Sequence, residues 1–166
     1  RVAQATLRRH QEALPLLAFP TLAGAQSGAK GNVDWPVYGG TTNNDHYSTL
    51  SQITPDNVRE LKVAWTYDTH DGFDLSEMED NPIVVDGVLY ATSPKLRVFA
   101  LDAATGRELW SFDPSAAAHD ERKSRYRHRG VTVVGDRVLF THRHRLWALD
   151  RKTGKPVPGF GGDSGF

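Results

Sequence analysis

The chain has 166 residues, 39% hydrophobic and 24% charged, enough apolar content to bury a core and too mixed for a collagen-like or globally disordered polymer. Twenty basic residues balance twenty acidic ones, for a net charge of +0, which removes bulk charge as a reason to expect nucleic acid or an anionic membrane as partner. The absence of cysteine excludes disulfides, thiolate metal sites and c-type haem attachment, and the longest apolar run falls short of the about 20 residues a membrane-spanning helix needs.

Residues 1–32 read as a leader rather than as part of a fold. Arg8-Arg9-His10 precede an apolar stretch at 13–23, and Ala23-Gly24-Ala25 follows as a small-x-small cleavage pattern. A basic patch, a short apolar run and an A-x-A step make the layout of a secretory signal peptide, and the polar, Gly-rich residues 26–32 form a linker. The expectation is an exported, periplasmic protein, with inner-membrane association left open, whose folded part is residues 33–166. Further on, Thr54 suits a helix N-cap, Pro55 the first helical position and Asp56 the positive helix end, so a short helix is expected there. Leu61-Lys62-Val63-Ala64-Trp65 follows as a partial copy of a segment repeated further on.

The body repeats itself. Val84-Val85-Asp86-Gly87-Val88-Leu89-Tyr90 is a strand, a tight turn and a strand, and Val133-Val134-Gly135-Asp136-Arg137-Val138-Leu139-Phe140 writes it again. Val98-Phe99-Ala100-Leu101-Asp102 leads to Thr105-Gly106, as Leu146-Trp147-Ala148-Leu149-Asp150 leads to Thr153-Gly154. In each copy the Asp can bond amides two or three residues on, while Gly takes the left-handed position. Trp65 is a partial earlier copy of Trp110. A period of about 45 residues with several short strands per unit is the mark of a β-propeller blade, a sheet that needs a neighbour on each face. Trp65 and Trp110 are placed to fill the gaps between blades. The fold class is therefore all-β, an incomplete β-propeller. Residues 33–166 hold at most about three blades, whereas a closed ring takes about four to eight, so the chain is expected to be the N-terminal part of a longer protein.

The stretch Ala100-Leu101-Asp102-Ala103-Ala104-Thr105-Gly106-Arg107-Glu108-Leu109-Trp110 closely resembles the Trp-containing blade repeat of pyrroloquinoline quinone (PQQ)-dependent dehydrogenases. Asp34-Trp35-Pro36-Val37-Tyr38-Gly39-Gly40 with Tyr47-Ser48-Thr49-Leu50 looks like the opening of that family. Ile53-Thr54-Pro55-Asp56-Asn57-Val58, Arg129-Gly130-Val131 and Gly154-Lys155-Pro156-Val157-Pro158-Gly159-Phe160-Gly161 match further segments in order. The likeness leans to the quinoprotein glucose dehydrogenase branch, because the methanol and alcohol dehydrogenases carry an adjacent cysteine pair that is missing here. Where the membrane-bound glucose enzymes often have Cys before Arg-Gly-Val, this chain has His128, which leaves the substrate open. The resemblance implies two to three blades of an eight-bladed quinoprotein propeller. It also implies a PQQ-dependent dehydrogenase of a glucose-like sugar or an alcohol, with Ca²⁺ polarising the quinone, an Asp as base, and electrons passing to a membrane quinone or a cytochrome. The metal ligands, the base and a ring-stacking Trp would lie beyond residue 166, leaving this stretch inactive alone.

PQQ is a planar ortho-quinone with three carboxylates, so its site calls for cations, donors to the quinone oxygens and apolar faces. The resemblance places Glu79, three residues before Pro82, as one cofactor contact, with Asp80 and Asn81 more polar than the small residues usual there. It places Arg129, whose donor fork suits a carboxylate, as the other. The plainer readings are an acidic loop around Glu77, Glu79 and Asp80, and a solvated basic run at 122–129. That run is too short and too isolated to expect nucleic acid. His142-x-His144 reads as an exposed polar strand face rather than a metal pair, and Asp68, Asp71 and Asp74 as a polar loop lacking the calcium-loop pattern. The alternative to an enzyme is a non-catalytic propeller scaffold in the cell envelope.

Overall fold

The computed structural model describes residues 5–7, 33–119 and 127–161. The leader's apolar stretch, residues 120–126 of the basic run and residues 162–166 lie outside the described residues. One piece of the segment read as leader takes a strand: β1 (Ala5–Leu7) pairs in parallel with β2 (Trp65–Tyr67).

Four short strands form one antiparallel sheet in the order β3 (Ile83–Val85), β4 (Val88–Thr92), β5 (Val98–Asp102) and β6 (Glu108–Phe112). This is a complete blade, with each strand hydrogen-bonded to the next in sequence. The second copy makes a three-stranded sheet of β7 (Thr132–Val134), β8 (Arg137–His142) and β9 (Arg145–Asp150). A β-bridge from Leu149 to Pro156 lies along its last strand. The strands are the β-branched and aromatic runs of the repeat, and the turns are its Gly and Asp positions. The two copies differ at the first hairpin. Asp86 and Gly87 both have positive φ (51° and 74°), as a type I′ turn requires, whereas in the second copy Gly135 (58°) precedes an Asp136 that does not, the pattern of a II′ turn. Inverting Asp-Gly to Gly-Asp therefore kept the hairpin and changed its turn.

The four-stranded sheet is buried on both faces, as a blade between neighbours must be. Val98 and Ala100 join Ile83, Tyr90 and Trp110 in a core shared with Val138, Phe140 and Leu149 of the next sheet. Phe99 and Leu101, on the alternate face, pack with Leu89 and Ala91 against Trp65 and Tyr67 of β2. The contacts between sheets repeat. The Trp65 ring lies over Gly106 and its Nε1 donates to the Ala103 carbonyl at 3.2 Å; the Trp110 ring lies over Gly154 and its Nε1 donates to the Arg151 carbonyl at 3.0 Å. Tyr67 meets Phe99 at 4.9 Å between ring centroids, and Phe112 meets Trp147 at 5.2 Å. β2 thus stands to the four-stranded sheet as β6 stands to the three-stranded one.

Asp102 accepts hydrogen bonds from the Ala104 and Thr105 amides and the Thr105 hydroxyl, and Asp150 from the Thr153 amide and hydroxyl. The Thr hydroxyl in each turn holds its Asp carboxyl below the ordinary carboxylate range. On the three-stranded sheet, the face turned away from the four-stranded one leaves Val134 and Leu146 exposed, although Val98, the counterpart of Leu146 in the repeat, is fully buried. The expected short helix is a 3-10 turn at Val58–Glu60 instead. The Thr54 carbonyl, rather than its hydroxyl, accepts from Asn57 and Val58, and the Asn57 side chain caps the Thr54 amide. A second short helix, α1 (Pro114–Ala117), was not expected. Asp113 caps it by accepting from the Ser115 and Ala116 amides.

Candidate cofactor site

The strand alternation gathers particular loops at one end of the sheets. β3 begins at Ile83, opposite Tyr90, and β4 leaves the sheet at Thr92. The segment before β3, the β4–β5 hairpin and the segment after β6 therefore share that end, and the approach to β7 joins them through contacts with Asn81. Glu79 stands four positions before β3 and Arg129 three before β7, within the segments that lead into the first strand of each sheet.

The structure brings these two residues together. Arg129 pairs with one carboxylate oxygen of Glu79 at 2.9 Å, and Arg127 with the other at 3.0 Å. Arg127 also reaches Glu77 at 2.9 Å. The acidic loop and the described end of the basic run are thus two halves of one charged cluster. Glu79 is 24% exposed and Arg129 76%, so the guanidinium keeps most of its fork open to a ligand while one nitrogen is held. Arg127 was missed as a member. Its signal was the Arg-x-Arg spacing, which in extended backbone places both side chains on one face.

Behind the cluster lies a second layer. The Asp80 carboxylate accepts from the Thr92 amide at 3.1 Å and its hydroxyl at 3.0 Å, and burial pushes its pKa up to about 7. Asn81 donates both its amide, at 3.3 Å, and its side chain, at 3.1 Å, to the Arg129 carbonyl. His128 Nδ1 accepts from the Gly130 amide at 3.1 Å, its Nε2 lies 3.3 Å from the Thr141 hydroxyl, and burial lowers its pKa. An imidazole that accepts at Nδ1 is neutral, with its proton on Nε2.

One expectation is corrected here. His142 and His144 do not share a strand face, because β8 ends at His142 and Arg143-His144 is the hairpin turn. His142 is buried, with Nε2 3.2 Å from the Ser115 hydroxyl of α1. Asp71 lies in the expected loop, but among buried partners rather than on its surface. It is buried, accepts from Thr69 at 2.7 Å and from the Ser93 hydroxyl, and faces Arg97 at 3.7 Å. Among the described residues no group of three or more His, Asp or Glu is placed to hold a metal ion.

The sequence and the fold have counterparts in known proteins. The family profile described as PQQ: glucose/ethanol/alcohol dehydrogenase, β-propeller domain, matches residues 35–166. The dehydrogenase subunit of alcohol dehydrogenase (quinone) from Gluconobacter oxydans is 43% identical over 129 residues, 75% of this chain and 16% of that protein. 1-Butanol dehydrogenase (cytochrome c) from Thauera butanivorans is 34% identical over 161 residues, 90% of this chain and 23% of that protein. The crystal structure of quinohemoprotein alcohol dehydrogenase from Comamonas testosteroni superposes with a TM-score of 0.64 at 33% identity, over 75% of this chain and 19% of that one. The chain thus spans between 16% and 23% of the length of these relatives. All three are named for alcohols, which corrects the leaning towards the glucose branch: a missing cysteine pair says less about kinship than identity along most of the chain. With a complete blade, two Trp-docked neighbours and a profile matched from residue 35 to residue 166, the chain belongs to the PQQ-dependent glucose/ethanol/alcohol dehydrogenase β-propeller family.

Proposed function

We propose that the chain forms the first blades of a quinoprotein that oxidises an alcohol and hands the electrons to a quinone or a cytochrome. The relatives' names support the alcohol over the sugar, and none of these three favours a non-catalytic scaffold. The observation that carries the reading is the Glu79–Arg129 pair, set at the starts of two adjacent blades with the guanidinium largely exposed.

The residues fit a carboxylate-bearing cofactor. A guanidinium held by one carboxylate and otherwise open can take a second, because its planar fork offers five donors. Arg129, with Arg127 beside it, would hold a PQQ carboxylate or quinone oxygen, and Glu79 would accept from a ring N–H of PQQ while keeping both guanidinium groups in place. Bound PQQ supplies a two-electron acceptor for the hydride of the carbinol carbon. Ca²⁺, its ligands and the base would come from residues after 166. On the layout of residues 8–25 the protein is exported to the periplasm, which a fusion of that leader to alkaline phosphatase would read.

The test is dye-linked oxidation by the full-length protein loaded with PQQ and Ca²⁺, screened on primary alcohols and aldoses. Turnover of alcohols, lost on omission of PQQ, is the expected result. Turnover of aldoses alone would overturn the substrate class, and no PQQ-dependent turnover of either would overturn the reading.

A further inference from the structure

We propose that Asp80 and Asn81 are positioning residues: they fasten the Arg129–Gly130 main chain of one blade to the Glu79 loop of the other, and so set where the Arg129 guanidinium stands. This rests on the cofactor reading above.

Three contacts carry it. First, Asn81 aims two donors at one acceptor, its amide at 3.3 Å and its side-chain nitrogen at 3.1 Å from the Arg129 carbonyl. The segments leading into β3 and β7 are joined there by backbone as well as side chain. Second, Gly130 comes in so close that a Cβ on it would stand 2.8 Å from the Asn81 carbonyl oxygen and 3.0 Å from Asp80 Oδ1; its φ of +108° is one that side-chain-bearing residues rarely adopt. Third, Asp80 anchors the loop from behind by accepting both the amide and the hydroxyl of Thr92 at the end of β4. The pairing of Arg129 with Glu79 therefore does not depend on a surface ion pair alone, which would be worth little. The main chain carrying the guanidinium is held first.

The clamp contains a titrating group. The charged and titratable groups around Asp80 are Glu79 beside it, Arg127, His128 and Arg129 on the approach to β7, and Asp71 and Arg97 around Ser93, next to Thr92. Burial brings the Asp80 carboxyl to about 7. Burial favours the neutral acid, whereas the Thr92 and Asn81 hydrogen bonds favour the carboxylate, so the strength of the anchor is expected to change as Asp80 titrates.

The experiment uses the full-length protein and its Asn81→Ala, Asn81→Asp and Asp80→Asn variants, with two readouts. Hydrogen exchange of the peptide spanning residues 127–131 is followed in the cofactor-free protein, and PQQ affinity is titrated by quenching of tryptophan fluorescence between pH 5.5 and 8.5. Loss of the Asn81 side-chain bond is expected to speed exchange of that peptide and to weaken PQQ binding by about tenfold, the scale of one hydrogen bond of about 1.4 kcal/mol. Asn81→Asp, which keeps the volume and turns a donor towards an acceptor into a repulsion, is expected to do at least as much, and it decides the matter should the alanine variant not fold. Wild-type affinity is expected to change across about pH 7, and the Asp80→Asn profile to stay flat there. Unchanged exchange and unchanged affinity in both Asn81 variants would overturn the proposal, as would a pH profile shared by wild type and Asp80→Asn. A wild-type protein that binds no PQQ would sink the proposed function instead, and the exchange readout would still decide the clamp.

Discussion

Replacing Gly154 by Ala tests the joint between blades, with Gly135→Ala as its control. Both glycines have positive φ, 69° and 58°, so an alanine at either position carries a backbone penalty of roughly 1–2 kcal/mol. They differ in what the new methyl meets. At Gly135 there is nothing within 4 Å, whereas at Gly154 the Cβ would stand 2.5 Å from the Trp110 ring. The ring cannot give way freely, because it lies in the core with Tyr90 and Val138 and its Nε1 is tied to the Arg151 carbonyl. Overpacking of this kind costs about 1–3 kcal/mol, and loss of the indole hydrogen bond about 1 kcal/mol more. Gly154→Ala should therefore lower stability by about 3–6 kcal/mol, and Gly135→Ala by no more than about 2 kcal/mol. Urea denaturation of the full-length protein, followed by tryptophan fluorescence, measures both. Equal losses in the two variants would show that the Trp–Gly contact does not bind the blades, and the reasoning would fail.

Asp80 has a folded-state pKa raised above its unfolded value of 3.8 to about 7, so its contribution to stability is fully present below about pH 4 and is lost as the pH rises to about 7. The span corresponds to about 4 kcal/mol at most; Asp80→Asn should remove that slope from urea midpoints measured at pH 5 and pH 8, and an unaltered slope would contradict the assignment. Asp102 and Asp150 run the other way. Their carboxyls are held low by Thr105 and Thr153, so their contribution is present above the ordinary carboxylate range and lost as the pH falls through the depressed folded values. Asp102→Ala and Asp150→Ala should each lower the urea midpoint at pH 7 and reduce the dependence on pH below 4, and variants that titrate like wild type would refute this. Asp113→Ala removes the cap of α1 and should cost about 1 kcal/mol, read as a drop in the thermal midpoint.

The blade was legible because its signals are local and occur twice. Val, Leu and aromatic strands broken by Asp-Gly or Gly-Asp, and an Asp-x-x-Thr-Gly turn before Trp110, specify a hairpin ladder without knowledge of distant residues. Trp65 and Trp110 could be assigned to the joints because a four-stranded sheet has two faces to cover. The II′ turn at Gly135 and the cap at Asp113 were also written locally and went unread. His142 was misjudged because a period-2 argument holds only inside a strand, and the chain turns at Arg143. The cofactor site was less legible for a physical reason. Glu79 and Arg129 came from family resemblance, and nothing in spacing alone says that residues 50 apart form an ion pair at 2.9 Å. The Asp80–Asn81 layer was hidden more deeply, since its acceptor is a backbone carbonyl that looks the same at every position.

The most direct measurement is a structure of the full-length protein with PQQ bound. The account predicts the quinone at the end of the sheets that carries the segment before β3 and the approach to β7, with the Arg129 guanidinium against one of its oxygens, Glu79 within hydrogen-bond reach, and Asn81 still on the Arg129 carbonyl. PQQ lodged elsewhere, with Arg129 turned to solvent and Glu79 still paired as it is here, would contradict it.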